Sequence, residues 1–135
     1  MANALYDLGR NSFLNGDIDY TNDTIDLYLI DTADYTVNLA SHQFLSSVPV
    51  AGRVANATLA GKSTSAGVAD ANDTVFSAVS GDQSEALILV KDTGVEATSN
   101  LIAYIDTASA GLPVTPNGGD ITVTWDSGAN KIFKL

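Results

Sequence analysis

Two apolar segments near the middle of the chain constrain its fold most strongly. They are EALILVK (residues 85–91) and LIAYID (residues 101–106), and the nine residues DTGVEATSN separate them. A run of strand length that is apolar at successive positions is typical of a β-strand covered on both faces. The two segments therefore predict a hairpin with a long loop, buried within a layered β structure.

Further strands are predicted on both sides of this hairpin. In TIDLYLI, residues Ile25, Leu27 and Leu29 share one face. Asp26 and Tyr28 alternate with them, so the segment predicts a half-buried strand with Asp26 on its outer face. The segments RVANATLA (53–60) and TVFSAVS (74–80) predict two more strands.

The end of the chain shows the clearest alternation. DITVTWD (120–126) places Ile121, Val123 and Trp125 on one face, SGAN supplies a turn, and KIFKL (131–135) returns. These segments predict a C-terminal hairpin with Trp125 buried. The preceding segment TASAGLPVTPNGG is predicted to be a loop, because its two prolines and three glycines interrupt a strand ladder.

Two helices are predicted. The first spans about residues 3–15, begins at a cap on Asn3 and ends at Gly16, which can adopt the left-handed conformation. Its apolar stripe comprises Leu5, Leu8, Phe13 and Leu14. The second is a short helix within NLASHQFLSS (38–47), which ends before Pro49 and contains His42.

These elements amount to about seven strands and one N-terminal helix, with no βαβ alternation. The fold class is therefore predicted to be mainly β: a single-domain antiparallel β-sandwich or barrel-like fold with a short N-terminal helix. One domain is expected over residues 1–135, with the β body over about 23–135. The sequence has no cysteine, no apolar run of membrane-spanning length and no visible secretory signal, so neither disulfides nor a membrane partner is expected.

Charge excludes one class of partner and marks an unusual segment. Sixteen acidic residues against six basic ones give a net charge of −10, which opposes contact with phosphate backbones, so no nucleic-acid partner is expected. Six acids and no base lie between Asp17 and Asp34, whereas residues 35–69 contain no acid. That acid-free segment is either part of the core or a surface that docks on a partner.

The stretch NGDIDYTNDTIDLYLID (15–31) raises the question of a metal site. An EF-hand loop starting at Asp17 would need glycine at its sixth position and glutamate at its twelfth, but the chain has Asn22 and Tyr28 there. We therefore predict no metal site. A looser calcium site is the open alternative, with the candidate ligands Asp17, Asp19 and Asp23. The segment Asp70–Asp73 is a second candidate of the same kind.

The sequence predicts no catalytic and no cofactor-binding residue. His42 is the sole histidine, and its neighbour Ser41 would not face it on a helix. No Walker, G-x-G-x-x-G or H-E-x-x-H motif is present. The chain is therefore expected not to be an enzyme and to need no cofactor, although a pair of acids placed across a cleft stays open as an alternative.

An ordered series of segments resembles a family of small virion proteins of tailed bacteriophages. The series comprises ALYDLGRNSFLNGDIDY, DTIDLYLIDTADYT, LASHQFL, GVADANDTVFSAVSGDQSEALILVKDTG and LIAYIDTASAGLPVTPNGGDITVTWDSGANKIFKL. It spans nearly the whole chain, and its C-terminal block is the most distinctive. The resemblance implies a virion component, and the net charge favours the exterior of the capsid over a surface that faces packaged DNA.

Capsid decoration (cement) protein is the function that this resemblance implies. The chain would bind the outer surface of an assembled capsid and stabilise it. Its partners would be the major capsid protein and other copies of the same chain, with which it would form a trimer. It would be made in the host cytoplasm and located on the virion exterior. Three surfaces are expected to make contact: the N-terminal helix (4–14), the acid-free segment and the C-terminal hairpin. A tail or connector protein (tail tube, terminator or fibre-associated) is the alternative, and a carbohydrate- or calcium-binding module is the third.

Overall fold

The computed structural model describes residues 3–135 and confirms the predicted fold class. About 32% of the chain lies in strands and 11% in helices, in one small domain whose sheets are antiparallel. None of the helices within residues 3–135 has the length and apolar character that a bilayer crossing needs. The elements are β1 (Ala4–Leu5), α1 (Asp7–Leu14), β2 (Ile25–Ile30), β3 (Arg53–Thr58), β4 (Ser63–Ser65), β5 (Val68–Asp70), β6 (Thr74–Phe76), β7 (Ala86–Lys91), β8 (Leu101–Ile105), β9 (Ile121–Val123) and β10 (Phe133–Lys134), with 3₁₀ turns at Leu45–Ser47 and Val50–Gly52.

A five-stranded sheet in the order β1-β8-β7-β2-β3 forms the centre of the molecule. The predicted hairpin of β7 and β8 is confirmed, with Leu89 opposite Ala103 in the register. On its other side β7 pairs with β2, where Leu89 lies opposite Leu27. The side chains of β7 are buried on both faces of this sheet from Ala86 to Val90, as its apolar sequence predicts.

Different layers cover the two faces. The first face, with Leu27, Leu29 and Leu89, packs against the small sheets β10-β5-β4 and β6-β9, chiefly through Ala69 and Phe76. The second face carries Ile30, Ala86, Ile88, Val90, Leu101 and Tyr104, and packs against Tyr6, Tyr35, Leu45 and Val48. The chain is therefore sandwich-like, with strands on one side of the central sheet and mostly irregular segments on the other.

The prediction that TIDLYLI forms a half-buried strand is right about the strand and wrong about its exposure. Both faces of β2 are covered, and Asp26 is only 4% exposed rather than on an outer face. Period-2 alternation showed one apolar face correctly, but it could not show that residues 35–48 fold back over the other.

The N-terminal helix is shorter than predicted, and its predicted apolar stripe packs only in part, since Phe13 contacts the core and Leu14 does not. Residues 4–5 pair with β8 instead, and α1 begins after Tyr6. The Asn3 side chain does not cap the helix but accepts hydrogen bonds from the backbone N–H groups of Asp106 and Thr107. Leu14 is 85% exposed, whereas the small residues Gly9 and Ser12 are buried, because α1 lies close against β8. The helix stop at Gly16 is confirmed by its φ of +78°.

The short helix predicted over residues 38–47 is also wrong. Residues 39–41 form a single turn, closed by the bond from His42 N–H to the Asn38 carbonyl, and a 3₁₀ turn ends the segment. Between the two turns the chain pairs with the region near β8: Leu101 N–H donates to the Gln43 carbonyl, and Leu45 N–H donates to the Ser99 carbonyl. These tertiary hydrogen bonds interrupt the local bonds that a continuous helix would use.

The predicted C-terminal hairpin does not form. Strand β9 pairs with β6, whereas β10 pairs with β5, so the two strands belong to different sheets. Phe133 instead packs with Phe13 and Tyr20, which are distant in sequence. The structure also contains an unpredicted hairpin of β4 and β5, whose turn residues Ala66 and Gly67 both have positive φ.

We predict that Trp125→Ala lowers the free energy of unfolding by about 3 kcal/mol. The ring is half-buried and packs against the core on the first face of the central sheet, so its removal leaves a cavity. The value lies at the lower end of the range for large aromatic residues because the ring is only half-buried. Its indole N–H is buried without a hydrogen-bond partner in the described residues, so Trp125→Phe should cost less. Urea unfolding of both variants checks this, and equal losses would contradict it.

A second prediction concerns the contact between α1 and β8. A methyl group at Gly9 would lie 2.5 Å from the Leu101 carbonyl oxygen, so Gly9→Ala should destabilise the protein by about 1–3 kcal/mol despite alanine's higher helix propensity. Asn11→Ala, at an exposed position of the same helix, is the control and should be neutral or slightly stabilising. A gain in melting temperature for Gly9→Ala would show that α1 is not held against β8.

Candidate functional site

The acidic turn before β2 uses its carboxylates locally. The Asp19 carboxylate accepts hydrogen bonds from the Asn22 side chain (2.8 Å), the Asn22 backbone N–H (3.2 Å) and the Thr21 hydroxyl (3.1 Å). These bonds, above all the one from the Asn22 side chain, hold the pKa of Asp19 below its usual range. The Asp23 carboxylate in turn accepts the backbone N–H of Asp19 at 2.7 Å.

Two lysines from other elements approach this turn. The Lys91 ammonium lies 3.4 Å from the Asp23 carboxylate and also donates to the Asp17 carbonyl. The Lys62 ammonium donates to the Asp23 carbonyl. A stretch without a base in the sequence therefore gains two cations in the fold. Both compete with any bound metal ion for the charge of the turn.

The structure does not bring Asp17, Asp19 and Asp23 together as a ligand set. Among residues 3–135, one group of three acidic side chains has carboxylate oxygens within 4.8 Å of one another, and it consists of Asp31, Asp34 and Asp82. The sequence did not indicate that group, because its members come from two distant loops. One oxygen of Asp31 already accepts the Ala33 backbone N–H at 2.8 Å.

The second acidic candidate also supports local structure. Asp70 accepts the backbone N–H of Ala71 (2.9 Å), and Asp73 accepts that of Trp125 (3.3 Å). The Asn72 side chain lies against Gly61, where a Cβ atom would come within 2.4 Å of it. These contacts connect the segment before β6 to its neighbours.

His42 belongs to a network of tyrosines. Its Nδ1 lies 2.8 Å from the Tyr35 hydroxyl, which lies 2.9 Å from the hydroxyl of Tyr6. Burial and the hydrogen bond to Tyr35 raise the pKa of Tyr6. The phenols therefore stay protonated, and the network holds segment 35–42 against the second face of the central sheet.

A buried carboxylate on the central sheet has a close acidic neighbour. Asp26 accepts a hydrogen bond from the Thr58 hydroxyl at 2.7 Å. Burial is the main cause that raises the pKa of Asp26; the Thr58 hydrogen bond lowers it in part, and the carboxyl of Asp92 raises it further. Sequence periodicity placed Asp26 in solvent and therefore gave no sign of this pair.

An open groove lies between the turn after α1 and the β4–β5 hairpin, with a volume of about 570 Å³. Its residues come from three separate parts of the chain: Phe13, Gly16, Ile18, Asp19, Tyr20 and Thr21; Thr64, Ser65, Ala66, Gly67, Val68 and Ala69; Phe133 and Leu135. The ring of Phe133 lies 6.0 Å from that of Phe13 and 5.7 Å from that of Tyr20. The groove thus brings together residues of the helix, of the acid-free segment and of the second half of the predicted C-terminal hairpin, the three parts of the chain that were expected to make contact. Residues 120–126, the first half of that hairpin, do not line it.

The groove has apolar and polar lining residues and one carboxylate. Leu135 lines it and is 60% exposed, and the exposed Leu14 lies in the chain between the lining residues Phe13 and Gly16. Among the described residues that line the groove, Asp19 is the one charged side chain. The sequence could not reveal this site, because it depends on the pairing of β10 with β5.

Comparison of the sequence with models of protein families gives no match, and comparison with curated proteins gives none either. The resemblance to phage virion proteins therefore stays an expectation. What the chain does must be inferred from its own charge, surface and packing.

We predict that Asp26→Asn raises the melting temperature at pH 7. Because the folded protein binds the proton of Asp26 more tightly than the unfolded chain, this group favours folding at low pH, and its contribution is lost as the pH rises from about 3.9 through the raised pKa. Asparagine keeps an acceptor for Thr58 and carries no charge. Thermal unfolding at pH 7 and pH 3.5 checks this, since the gain should shrink at the lower pH.

The matched control is Asp17→Asn, which removes an exposed carboxylate from the same region. It should leave the melting temperature at pH 7 nearly unchanged. An equal gain for both variants would assign the effect to the net charge of the chain, and not to the burial of Asp26.

Proposed function

We propose that this chain is a non-enzymatic structural protein of a phage virion that binds the outer surface of the assembled capsid and stabilises it. The observation that carries the proposal is the net charge of −10 on a small, mainly β domain. Much of this charge lies in solvent, at Asp7, Asp17, Asp19, Asp34, Asp73, Asp82, Glu96, Asp120 and Asp126. A surface of this sign is repelled by packaged DNA and suits a position outside the shell.

The packing supports a structural role. The central strands are buried on both faces, so the domain is stabilised by its core without any disulfide. A protein that reinforces a shell acts through many copies, each of which buries a moderate interface area. The groove between α1 and the β4–β5 hairpin offers a surface for such an interface.

The proposal includes two partners. The major capsid protein is the first, and it would present the surface on which the domain docks. The second is the chain itself, as a trimer. Self-association reduces the number of separate binding events and increases the avidity for the shell.

The test is the copy number of this chain in purified particles, measured by quantitative mass spectrometry, together with its position in a cryo-EM reconstruction. We expect a copy number comparable to that of the shell protein and ordered density outside the shell. A copy number comparable to that of the connector or a fibre, or density confined to the tail, would contradict the proposal and favour a tail or connector protein.

A further inference from the structure

We infer that the groove between α1 and the β4–β5 hairpin binds a segment of the shell protein that carries a large apolar side chain next to a lysine or arginine. The inference rests on the proposed function, and it adds the site of contact and the chemistry of the partner. Three properties of the groove carry it: its apolar floor, the sign of its rim and the fixed position of its walls.

The floor of the groove provides a place for an apolar anchor. Phe13, Ile18, Tyr20 and Phe133 line it, and its volume of about 570 Å³ lies within the range of sites that enclose a ligand group. Leu135 also lines the groove and is 60% exposed. Binding of a large side chain there would remove this apolar surface from water, which is the usual source of interface stability.

The rim sets the charge of the partner. Asp19 lines the groove, and hydrogen bonds from Asn22 keep its pKa low, so this carboxylate stays ionised at neutral pH. Asp17, two residues before it, is exposed.

No lysine or arginine is among the described residues that line the groove, although the Lys62 ammonium lies 5.9 Å from the ring centroid of the lining residue Tyr20. Lys62 and Lys91 bind the backbone of the turn and the Asp23 carboxylate, so no described ion pair neutralises Asp19. A cation on the partner would therefore be attracted to Asp19.

The same charges disfavour a second copy of the chain as the occupant. Two copies that met through this groove would bring two Asp19 carboxylates close together, and like charges at an interface oppose association. A partner segment with a basic residue avoids this repulsion. Charge complementarity thus selects a different protein for this groove, and the contacts of the proposed trimer would lie elsewhere on the surface.

The walls of the groove are held by hydrogen bonds that do not involve a ligand. On one side, Asp17 N–H donates to the Ser12 carbonyl, and Asp23 N–H donates to the Asp19 carbonyl. On the other side, Leu135 N–H donates to the Gly67 carbonyl. A site that is already in place costs little conformational entropy when the partner binds.

The experiment measures co-sedimentation of the purified protein with shells from which it has been removed. The apolar lining is tested by Leu135→Lys. The matched control is Val95→Lys, since this valine is 56% exposed, close to the 60% of Leu135, and lies outside the groove. Both variants change the net charge equally. We expect Leu135→Lys to weaken binding at least tenfold and Val95→Lys to leave it unchanged.

The acidic rim is tested by Asp19→Asn against Asp126→Asn. Both residues are exposed, and each accepts a nearby backbone N–H through a side-chain oxygen that asparagine retains. Asp19→Asn also loses the bond from the Asn22 side chain, so Asn22→Ala, which removes that bond and keeps the charge, is a second control and should bind like the wild type. We expect Asp19→Asn alone to weaken binding and to reduce its dependence on salt concentration. Melting temperatures of all variants establish that each one is folded.

The outcomes separate the two proposals. If the wild-type protein does not bind shells, the proposed function fails, and the inference fails with it. If the wild type binds but the groove variants bind equally well, the proposed function stands and the inference is overturned. Loss of self-association in the groove variants, with shell binding retained, would assign the groove to a second copy and would also overturn it.

Discussion

The burial of β2 and β7 on both faces is the constraint on which the rest of this structure depends. Nearly every side chain of these adjacent strands is shielded from water, and each large apolar one contributes about 1.5–3 kcal/mol when fully buried. Such strands need a layer on each side. The small sheets provide one layer, and residues 35–48 together with Tyr6 provide the other.

This double coverage explains the unusual polar features of the interior. Asp26 occupies a sheet position that would be exposed if the second face were open. The Thr58 hydroxyl donates a hydrogen bond to its carboxylate, whereas the nearby carboxyl of Asp92 raises its pKa. The network of Tyr6, Tyr35 and His42, in contrast, contains no carboxylate. The covering segment brings Tyr35 and His42 to Tyr6, and the three side chains satisfy one another by hydrogen bonds.

The surface shows how the fold redistributes charge. The acidic turn around Asp19 receives Lys62 and Lys91 from distant parts of the chain, which partly neutralise it at Asp23, whereas Asp17 and Asp19 stay exposed. Asp19 lines the groove in which residues of the helix, the β4–β5 hairpin and the last strand meet. An acidic rim beside an apolar floor is a surface suited to recognition of a protein, and this is the physical basis of the proposals made for it.

The sequence by itself determined the elements whose signal is local. The apolar run of β7, the alternation of β2, the glycine stop of α1 and the mainly β class all follow from periodicity and turn chemistry, and the structure confirms them. Only the tertiary structure decided what lies beside each element: the burial of Asp26, the separation of β9 from β10, the pairing of residues 43–45 with the chain near β8, and the groove around Phe133. Those features depend on pairing between distant residues, and a strand's own pattern shows which of its faces is apolar but not which segment will cover the other.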